Sequence, residues 1–480
     1  MIELFFQNEI YPYDVYHMAK AFFPGEELKQ YIDEEQTLLI RIVRDGQEIF
    51  RVENAQIEAF AERKERKHYV NVKMYRKFQE FTGKELAWGI LTGIRPTKIM
   101  MKALEEGKEE ADIVTEMMEK HLLTREKAQL GLDIAKREKA LLEQLDYKDG
   151  YSLYVGIPFC PTTCIYCSFT SYPLASFQKY VEAYLDALCK ELSYVGEISR
   201  HKKLNTIYIG GGTPTTLTPQ QMERLLTHME ETFSYEHLIE FTVEAGRPDS
   251  ITKEKLEVLR KHKINRISIN PQTMQQKTLD LIGRRHTVED VVSIYEMARK
   301  LGFDNINMDL IAGLPGETVE DMEDTLAKIK ALSPDNLTVH SLAIKRASKL
   351  NQLEEFKCSA SQEKERAAIL EEMIVMAQDA AKEMDMTPYY LYRQKNIAGS
   401  FENVGYAKVD KAGIYNILIM EEKQTIVACG AGASTKIVFP GEIDGQIQYR
   451  IERTENVKDL KEYINRIDEM IERKGEWLWH

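Results

Sequence analysis

Cys160, Cys164 and Cys167 stand in GIPFCPTTCIYCSF at the spacing Cys-x3-Cys-x2-Cys. Thiolates are the usual ligands of iron–sulfur clusters. Three of them leave one iron of a four-iron cluster without a protein ligand, an open position of the kind that catalytic metal sites keep for a substrate or cofactor. A zinc site would need a fourth ligand, and no His or Cys follows at finger-like spacing. Downstream, the run Gly210-Gly211-Gly212-Thr213-Pro214 lets the backbone approach a ligand and expose N–H groups. Glu244, Gln272, Arg284 and Asp309 follow in turn. A carboxylate facing a site costs desolvation unless something cationic pairs with it, and Arg can hold a carboxylate by a paired contact. Taken singly, each of these polar residues fits a surface or capping role equally well. Together, at the ends of successive strands, they read as one site.

The elements that must position these residues can be read from the same sequence. Between residues 148 and 345, short apolar runs alternate with amphipathic stretches of helical period. The predicted strands are YSLYVGI (151–157), NTIYIGG (205–211), IEFTVEA (239–245), NRISINP (265–271), NINMDLI (305–311) and NLTVHSL (336–342). Such alternation predicts parallel strands with crossover helices. Six units suit an α/β fold with a partial, open (β/α)6 barrel, whose chemistry lies at the C-terminal strand ends. Residues 1–147 form an expected N-terminal α+β accessory domain. Asp45-Gly46 joins two strands there as a hairpin turn. A helical pattern then runs from Ile57 to Leu142, interrupted by WGILTGIRPTK (Trp88 to Lys98), whose Arg95-Pro96 step opens a new helix. Residues 346–480 form an expected C-terminal α+β cap. It has a helix from Ser361 to Glu383, the segment PYYLYRQKNIAG, strands GIYNILIM and QTIVACGAG, and a closing amphipathic helix.

The cysteine spacing resembles that of the radical S-adenosylmethionine (SAM) superfamily, and the resemblance covers the whole middle segment. YVGIPFC, GGGTPT, VEAGRPD, INPQTM, LIGRRHT and DLIAGLPGET together resemble the oxygen-independent coproporphyrinogen III oxidase group. WGILTGIRPTK and PYYLYRQKNIAGSFENVGYAK look like its HemZ-type members. The resemblance implies a 4Fe–4S cluster on Cys160, Cys164 and Cys167 whose open iron takes SAM. One electron then cleaves SAM to methionine and a hydrogen-abstracting 5′-deoxyadenosyl radical. It implies that Tyr154 lies against SAM, that Gly212 and Thr213 contact its methionine part, and that Glu244, Gln272, Arg284 and Asp309 complete the site. Tyr166 takes the place of the aromatic that precedes the last cysteine in this superfamily; it equally packs the loop. The implied reaction oxidatively decarboxylates two propionates of coproporphyrinogen III to the vinyl groups of protoporphyrinogen IX. Arg393 and Lys395 are the expected cations for substrate carboxylates, and Tyr389, Tyr390 and Tyr392 are expected to pack. The sequence departs from the group's named oxidase at Gly156, where that enzyme has His, and at Phe169, where it has Cys.

The 480-residue chain carries a formal charge of −13, 43% hydrophobic and 29% charged residues. That balance predicts a soluble globular protein and argues against a general nucleic-acid binder, which needs a basic stripe. The basic run from Arg63 to Lys77 reads as a solvated helix face, or as a patch for an anionic partner. No apolar run reaches the roughly 18 residues of a membrane span, and the first residues lack a signal-peptide pattern, so the cytoplasm is the expected location. The remaining cysteines, Cys189, Cys358 and Cys429, lack ligand-like spacing and read as core residues. A tetrapyrrole substrate and an electron donor such as flavodoxin or ferredoxin are the expected partners. Two further activities compatible with the resemblance are a haem-binding chaperone and an anaerobic haem-degrading radical SAM methyltransferase.

Overall fold

A computed structural model describes all residues except 344–347, 353–359, 394–400, 444–445 and 480. The chain divides into two compact units. One comprises Met1–Arg137, Glu354–Glu372 and Leu391–Asn403, and the other Glu138–Leu353, Met373–Tyr390 and Val404–His480. These units do not coincide with the segments 1–147, 148–345 and 346–480 expected from sequence, because most of the last segment belongs to the unit of the parallel strands and the rest mainly to the first unit.

The first unit opens with a four-stranded sheet ordered β2-β1-β3-β4. Its strands are β1 (Ile2–Phe6), β2 (Leu28–Ile32), β3 (Leu38–Arg44) and β4 (Gln47–Glu53). β3 and β4 form the expected hairpin. Asp45 (φ 50°) and Gly46 (φ 80°) both take left-handed conformations, as a two-residue type I′ turn requires. Helix Arg63–Thr82 carries the basic run and buries Val70, Met74, Tyr75 and Phe78 against this sheet. The helical stretch resolves further into helices Thr97–Glu105, Glu110–His121 and Arg125–Leu142. Pro96 sits at the N-cap of the second helix, as the Arg-Pro step predicts.

The second unit is built on the central sheet. Six parallel strands run side by side: β5 (Gly150–Ile157), β8 (Lys203–Gly211), β9 (Glu240–Gly246), β10 (Arg266–Ile269), β11 (Ile306–Ala312) and β12 (Asn336–Ser341). Between β5 and β8 lie the two-residue strands β6 (Phe159–Cys160) and β7 (Tyr172–Pro173), which pair with each other. The six barrel strands coincide with the six expected from sequence. Helices Val181–Ile198, Pro219–Thr232, Lys253–Lys261, Val288–Lys300 and Val319–Leu332 connect them. Four of these helices start at threonines, Thr218, Thr252, Thr287 and Thr318, and all but Thr252 close a reciprocal capping box with the residue three positions on. The rest of the sheet comes from the C-terminal part: β13 (Thr387–Arg393), β14 (Glu402–Ala407), β15 (Thr425–Cys429), β16 (Ser434–Ile443) and β17 (Gln446–Glu455). β15 pairs in parallel with the outer edge of β5, a seventh parallel strand beyond the six expected. β14 pairs antiparallel with β12 on the opposite edge.

GIYNILIM, expected as a strand, is the helix Ile414–Glu421. Its first N–H groups, on Ile414 and Tyr415, donate to the Glu240 carboxylate of β9 at 2.5 and 3.4 Å. An acid at a helix N-terminus satisfies orphan donors and opposes the dipole, and here it outweighs the β-propensity of Ile and Tyr.

Candidate functional site

The cysteine loop leaves the C-terminal end of β5 and is held at several points. The Gly212 N–H donates to the Ile157 carbonyl (2.8 Å) and the Thr213 N–H to the Phe159 carbonyl (2.7 Å). The glycine run therefore spends these two N–H groups on the loop instead of presenting them to a ligand, which is a departure from the sequence expectation. A Cβ on Gly212 would lie 2.5 Å from the Phe159 carbonyl oxygen, so the close approach requires glycine. Thr213 Oγ1 also donates to Cys160 Sγ at 3.5 Å. Further along, Thr162 Oγ1 donates to the Gly283 carbonyl (3.0 Å) and the Ile165 N–H to the Ile282 carbonyl (3.2 Å). These bonds tie the loop to the segment that carries Arg284.

All three cysteines are free thiols, with Cys164 buried and the other two half-buried. Burial pushes the Cys160 and Cys167 thiols up. Two buried guanidinium groups face the loop. Arg247 Nη1 lies 3.6 Å from Cys164 Sγ. Arg284 donates through Nη1 to the Asn270 carbonyl and through Nη2 to Tyr166 Oη (3.1 Å), while its Nε has no hydrogen-bond partner. Burial raises the Tyr166 hydroxyl pKa, so this phenol stays neutral. Among the described residues no carboxylate lies within ion-pair distance of Arg284. A buried cation in that state calls for an anion. Soft thiolate donors beside it fit an iron–sulfur cluster with net negative charge. Among the described residues no three His, Cys, Asp or Glu side chains close on a single ion. A four-iron cluster takes one thiolate per iron, and so needs its sulfurs set apart.

The neighbouring strand ends carry a second group of polar residues. Tyr208, on β8, donates through its hydroxyl to Glu244 Oε1 at the end of β9. The Tyr208 ring stacks between Tyr415 (centroids 4.5 Å apart, 20° between planes) and Tyr154 of β5 (6.2 Å, 15°). Burial, with the nearby Asp309 carboxylate, lifts the Glu244 carboxyl to about 7 against the lowering effect of the Tyr208 hydrogen bond. Gln272 holds a left-handed backbone (φ 70°). Its N–H donates to the Asp309 carbonyl and its carbonyl accepts from Ile311, each at 2.9 Å, while Oε1 is buried without a partner. A strained backbone and an orphaned acceptor at one residue mark a site that awaits a donor. Asp309 accepts from Asn307 Nδ2 (2.7 Å) and faces His340 Nε2 (3.7 Å). Burial works to raise the Asp309 carboxyl, but His340 and Asn307 outweigh it and hold it below the ordinary range.

The structure thus places Cys160, Cys164, Cys167, Tyr166, Gly212, Thr213, Glu244, Gln272 and Arg284 toward the C-terminal ends of β5, β8, β9 and β10 or in the loops that follow, with Tyr154 and Asp309 within β5 and β11. Arg393 belongs to the other unit. There its guanidinium is buried 5.9 Å from the Trp88 ring centroid and donates to the Leu91 carbonyl. Lys395 and Cys358 lie outside the described residues. Tyr389 and Tyr390 are buried, as expected for packing. Sequence reasoning gave no role to Arg247, Tyr208, His340 or Tyr415. Arg247 and Tyr208 stand inside motifs already singled out, VEAGRPD and NTIYIGG, and His340 lies within a predicted strand, so position within the motif was the available signal.

The model of the radical SAM superfamily matches residues 154–329. The oxygen-independent coproporphyrinogen-III oxidase-like protein HemZ of Bacillus subtilis is 43% identical over 428 residues, which is 88% of this chain and 82% of that protein. The haem chaperone HemW of the same organism is 32% identical over 320 residues, 66% of this chain and 76% of that protein. Coproporphyrinogen III oxidase (HemN) of Escherichia coli, a radical SAM enzyme of known structure, shares the fold. Its TM-score is 0.52 at 23% identity over 69% of this chain and 73% of that one. The chain belongs to the radical SAM superfamily, whose cofactors are a 4Fe–4S cluster and SAM, and within it to the oxygen-independent coproporphyrinogen III oxidase-like group of HemZ type.

Proposed function

We propose that this protein is the radical SAM enzyme of an oxygen-independent coproporphyrinogen III decarboxylation. In the overall reaction each of two propionates loses carbon dioxide, a hydrogen atom that passes to the SAM-derived radical and an electron that passes to a one-electron acceptor, leaving a vinyl group. The observation that carries this reading is the likeness to HemZ along 88% of the chain, flanking motifs included. When bound, the cluster and SAM supply the hydrogen-abstracting radical. The chain's own residues do the rest. Cys160, Cys164 and Cys167 hold the iron on a loop fixed by Gly212, Thr213 and Thr162. Arg284 offers its free Nε to an anionic group, and Glu244 and Asp309 offer carboxylates to the amino group and ribose hydroxyls of SAM. Gln272 offers Oε1 to a ribose hydroxyl. The stack of half-buried Tyr154 and Tyr208 on buried Tyr415 limits water at one wall, which strengthens each of these contacts. An electron donor of the flavodoxin or ferredoxin class and a cytoplasmic location belong to the same proposal.

The experiment is direct. Protein reconstituted anaerobically with iron and sulfide is incubated with SAM, a reductant and coproporphyrinogen III. Protoporphyrin after oxidation and 5′-deoxyadenosine should accumulate together, and Cys164→Ala should abolish both along with the iron–sulfur absorbance. The likeness to HemW supports a second reading, a haem-binding role without turnover. Tight haem binding with no porphyrin product would replace the first reading with the second.

A further inference from the structure

Arg247 follows directly after β9 and is 3% exposed. Its planar fork is fully used. Nε and Nη2 donate to Asp249 Oδ1 and Oδ2 at 2.9 and 2.6 Å, a bidentate pair. On the other side, Nη1 donates to the Thr162 carbonyl (3.0 Å), to Thr162 Oγ1 (2.8 Å) and to Cys164 Sγ (3.6 Å). One guanidinium thus joins a cysteine of the loop to a carboxylate behind it. Arg284, which also interacts with Cys164, and His286 act at this spot too, and the field of Arg247 reaches Cys160. Arginine does not release its proton in proteins, so the charge beside Cys164 is permanent.

Resting on the reading that Cys164 ligates the cluster, we propose that the Arg247–Asp249 pair sets the cluster's reduction potential. Arg247 raises the potential through its charge and its N–H···S hydrogen bond, and Asp249 moderates that effect. Reduction adds one electron, taken from a flavodoxin- or ferredoxin-class donor, to a group that is already negative. A fixed donor at a ligand sulfur stabilises the reduced form more than the oxidised one. Arg247 is a positioning residue in this scheme, since it acts through the cluster.

The test is a potentiometric titration of the anaerobically reconstituted full-length protein without SAM, with dithionite as reductant and the reduced cluster read by electron paramagnetic resonance. Arg247→Gln should lower the potential. At a fixed solution potential its oxidised-to-reduced ratio should rise on the order of tenfold, the worth of one charge-assisted hydrogen bond, which for a one-electron couple is 59 mV. Asp249→Asn should shift the potential the opposite way, because it uncovers the arginine charge. Loosening of the loop alone would not give opposite signs. If Arg247→Gln takes up no cluster, Asp249→Asn still decides. Unchanged potentials, or shifts in the same direction, overturn the proposal. Failure of the wild-type protein to take up a cluster that depends on Cys164 overturns the reading beneath it instead.

Discussion

Glu244 is a carboxylate whose environment opposes its charge, so its protonation couples the site to pH. Its carboxyl sits at about 7 in the folded protein against an ordinary value of 4.5. Between these values the folded state keeps a proton that the unfolded state has released, so this group's contribution makes stability fall as pH rises through that window. Below about 4.5 the contribution vanishes, and above about 7 it is complete. Glu244→Gln should therefore stabilise the cofactor-free protein by about 2–3 kcal/mol at pH 8 and leave it unchanged at pH 4.5. Urea unfolding of both proteins at the two pH values measures this, and equal differences at both would refute it. On the proposal that Glu244 meets the ammonium of SAM, the same variant should weaken SAM binding above pH 7, where the wild-type side chain is a carboxylate. Gly212 gives a steric counterpart. Gly212→Ala brings a Cβ to 2.5 Å from the Phe159 carbonyl oxygen and should cost about 1–3 kcal/mol. It should also lower bound iron per chain, since Thr213 beside it holds Cys160. Wild-type iron content in this variant would count against that role. Glu244, Gln272 and Asp309 stood out in the sequence because a polar residue within or just after an apolar run is a local signal. Arg247 was not, because its partner Thr162 lies 85 positions away and GRPD by itself reads as a turn.

At the scale of elements, local pattern named the six barrel strands nearly to the residue. It failed where a distant group decided the outcome. Helix Ile414–Glu421 depends on Glu240, 174 positions earlier. β15 was legible as a strand, yet its place beside β5 was not, since pairing partners leave no trace in a single apolar run. That place is held by a buried cluster around Glu191. The carboxylate pairs with Lys474 (3.1 Å) and accepts from the Gly430 N–H (2.8 Å), Asn456 Nδ2 (2.7 Å) and the Tyr463 hydroxyl (2.6 Å). Lys474 also donates to the Ala428 carbonyl of β15 at 2.7 Å. The side chains of Glu191 and Lys474 are 0% and 2% exposed. Lys474→Met leaves a buried, uncompensated carboxylate and should destabilise the unit by about 3–5 kcal/mol. The double variant Glu191→Met, Lys474→Met removes both charges and should recover part of that loss. A single variant as stable as wild type in chemical denaturation would show that the pair is not what anchors the C-terminal helix.

The whole molecule consists of two units threaded by one chain, and the first unit takes residues 354–372 and 391–403 from far along the sequence. Those late residues hold its core polar contacts. Glu402, with its side chain 1% exposed, accepts from Trp88 Nε1 at 2.7 Å and from Lys127 Nζ. Two residues of the flanking motifs meet inside this unit: the guanidinium of Arg393 lies 5.9 Å from the ring centroid of Trp88, whose Nε1 donates to Glu402. Cys160, Cys164 and Cys167, the proposed cluster ligands, all lie in the other unit. A ligand that binds only the folded form stabilises the body that holds it by mass action, and a cluster does so through its metal–thiolate bonds. Scanning calorimetry under anaerobic conditions should resolve two transitions. Iron chelation should lower one of them, and Glu402→Ala, which strips a buried partner from Trp88 and Lys127, should lower the other by the equivalent of about 3–5 kcal/mol. The melting of the cluster-bearing unit should stay where it is in Glu402→Ala. A single transition displaced by both treatments would mean that the two units unfold as one cooperative body, with the late segments acting as a structural link and not only as a shared strand of chain.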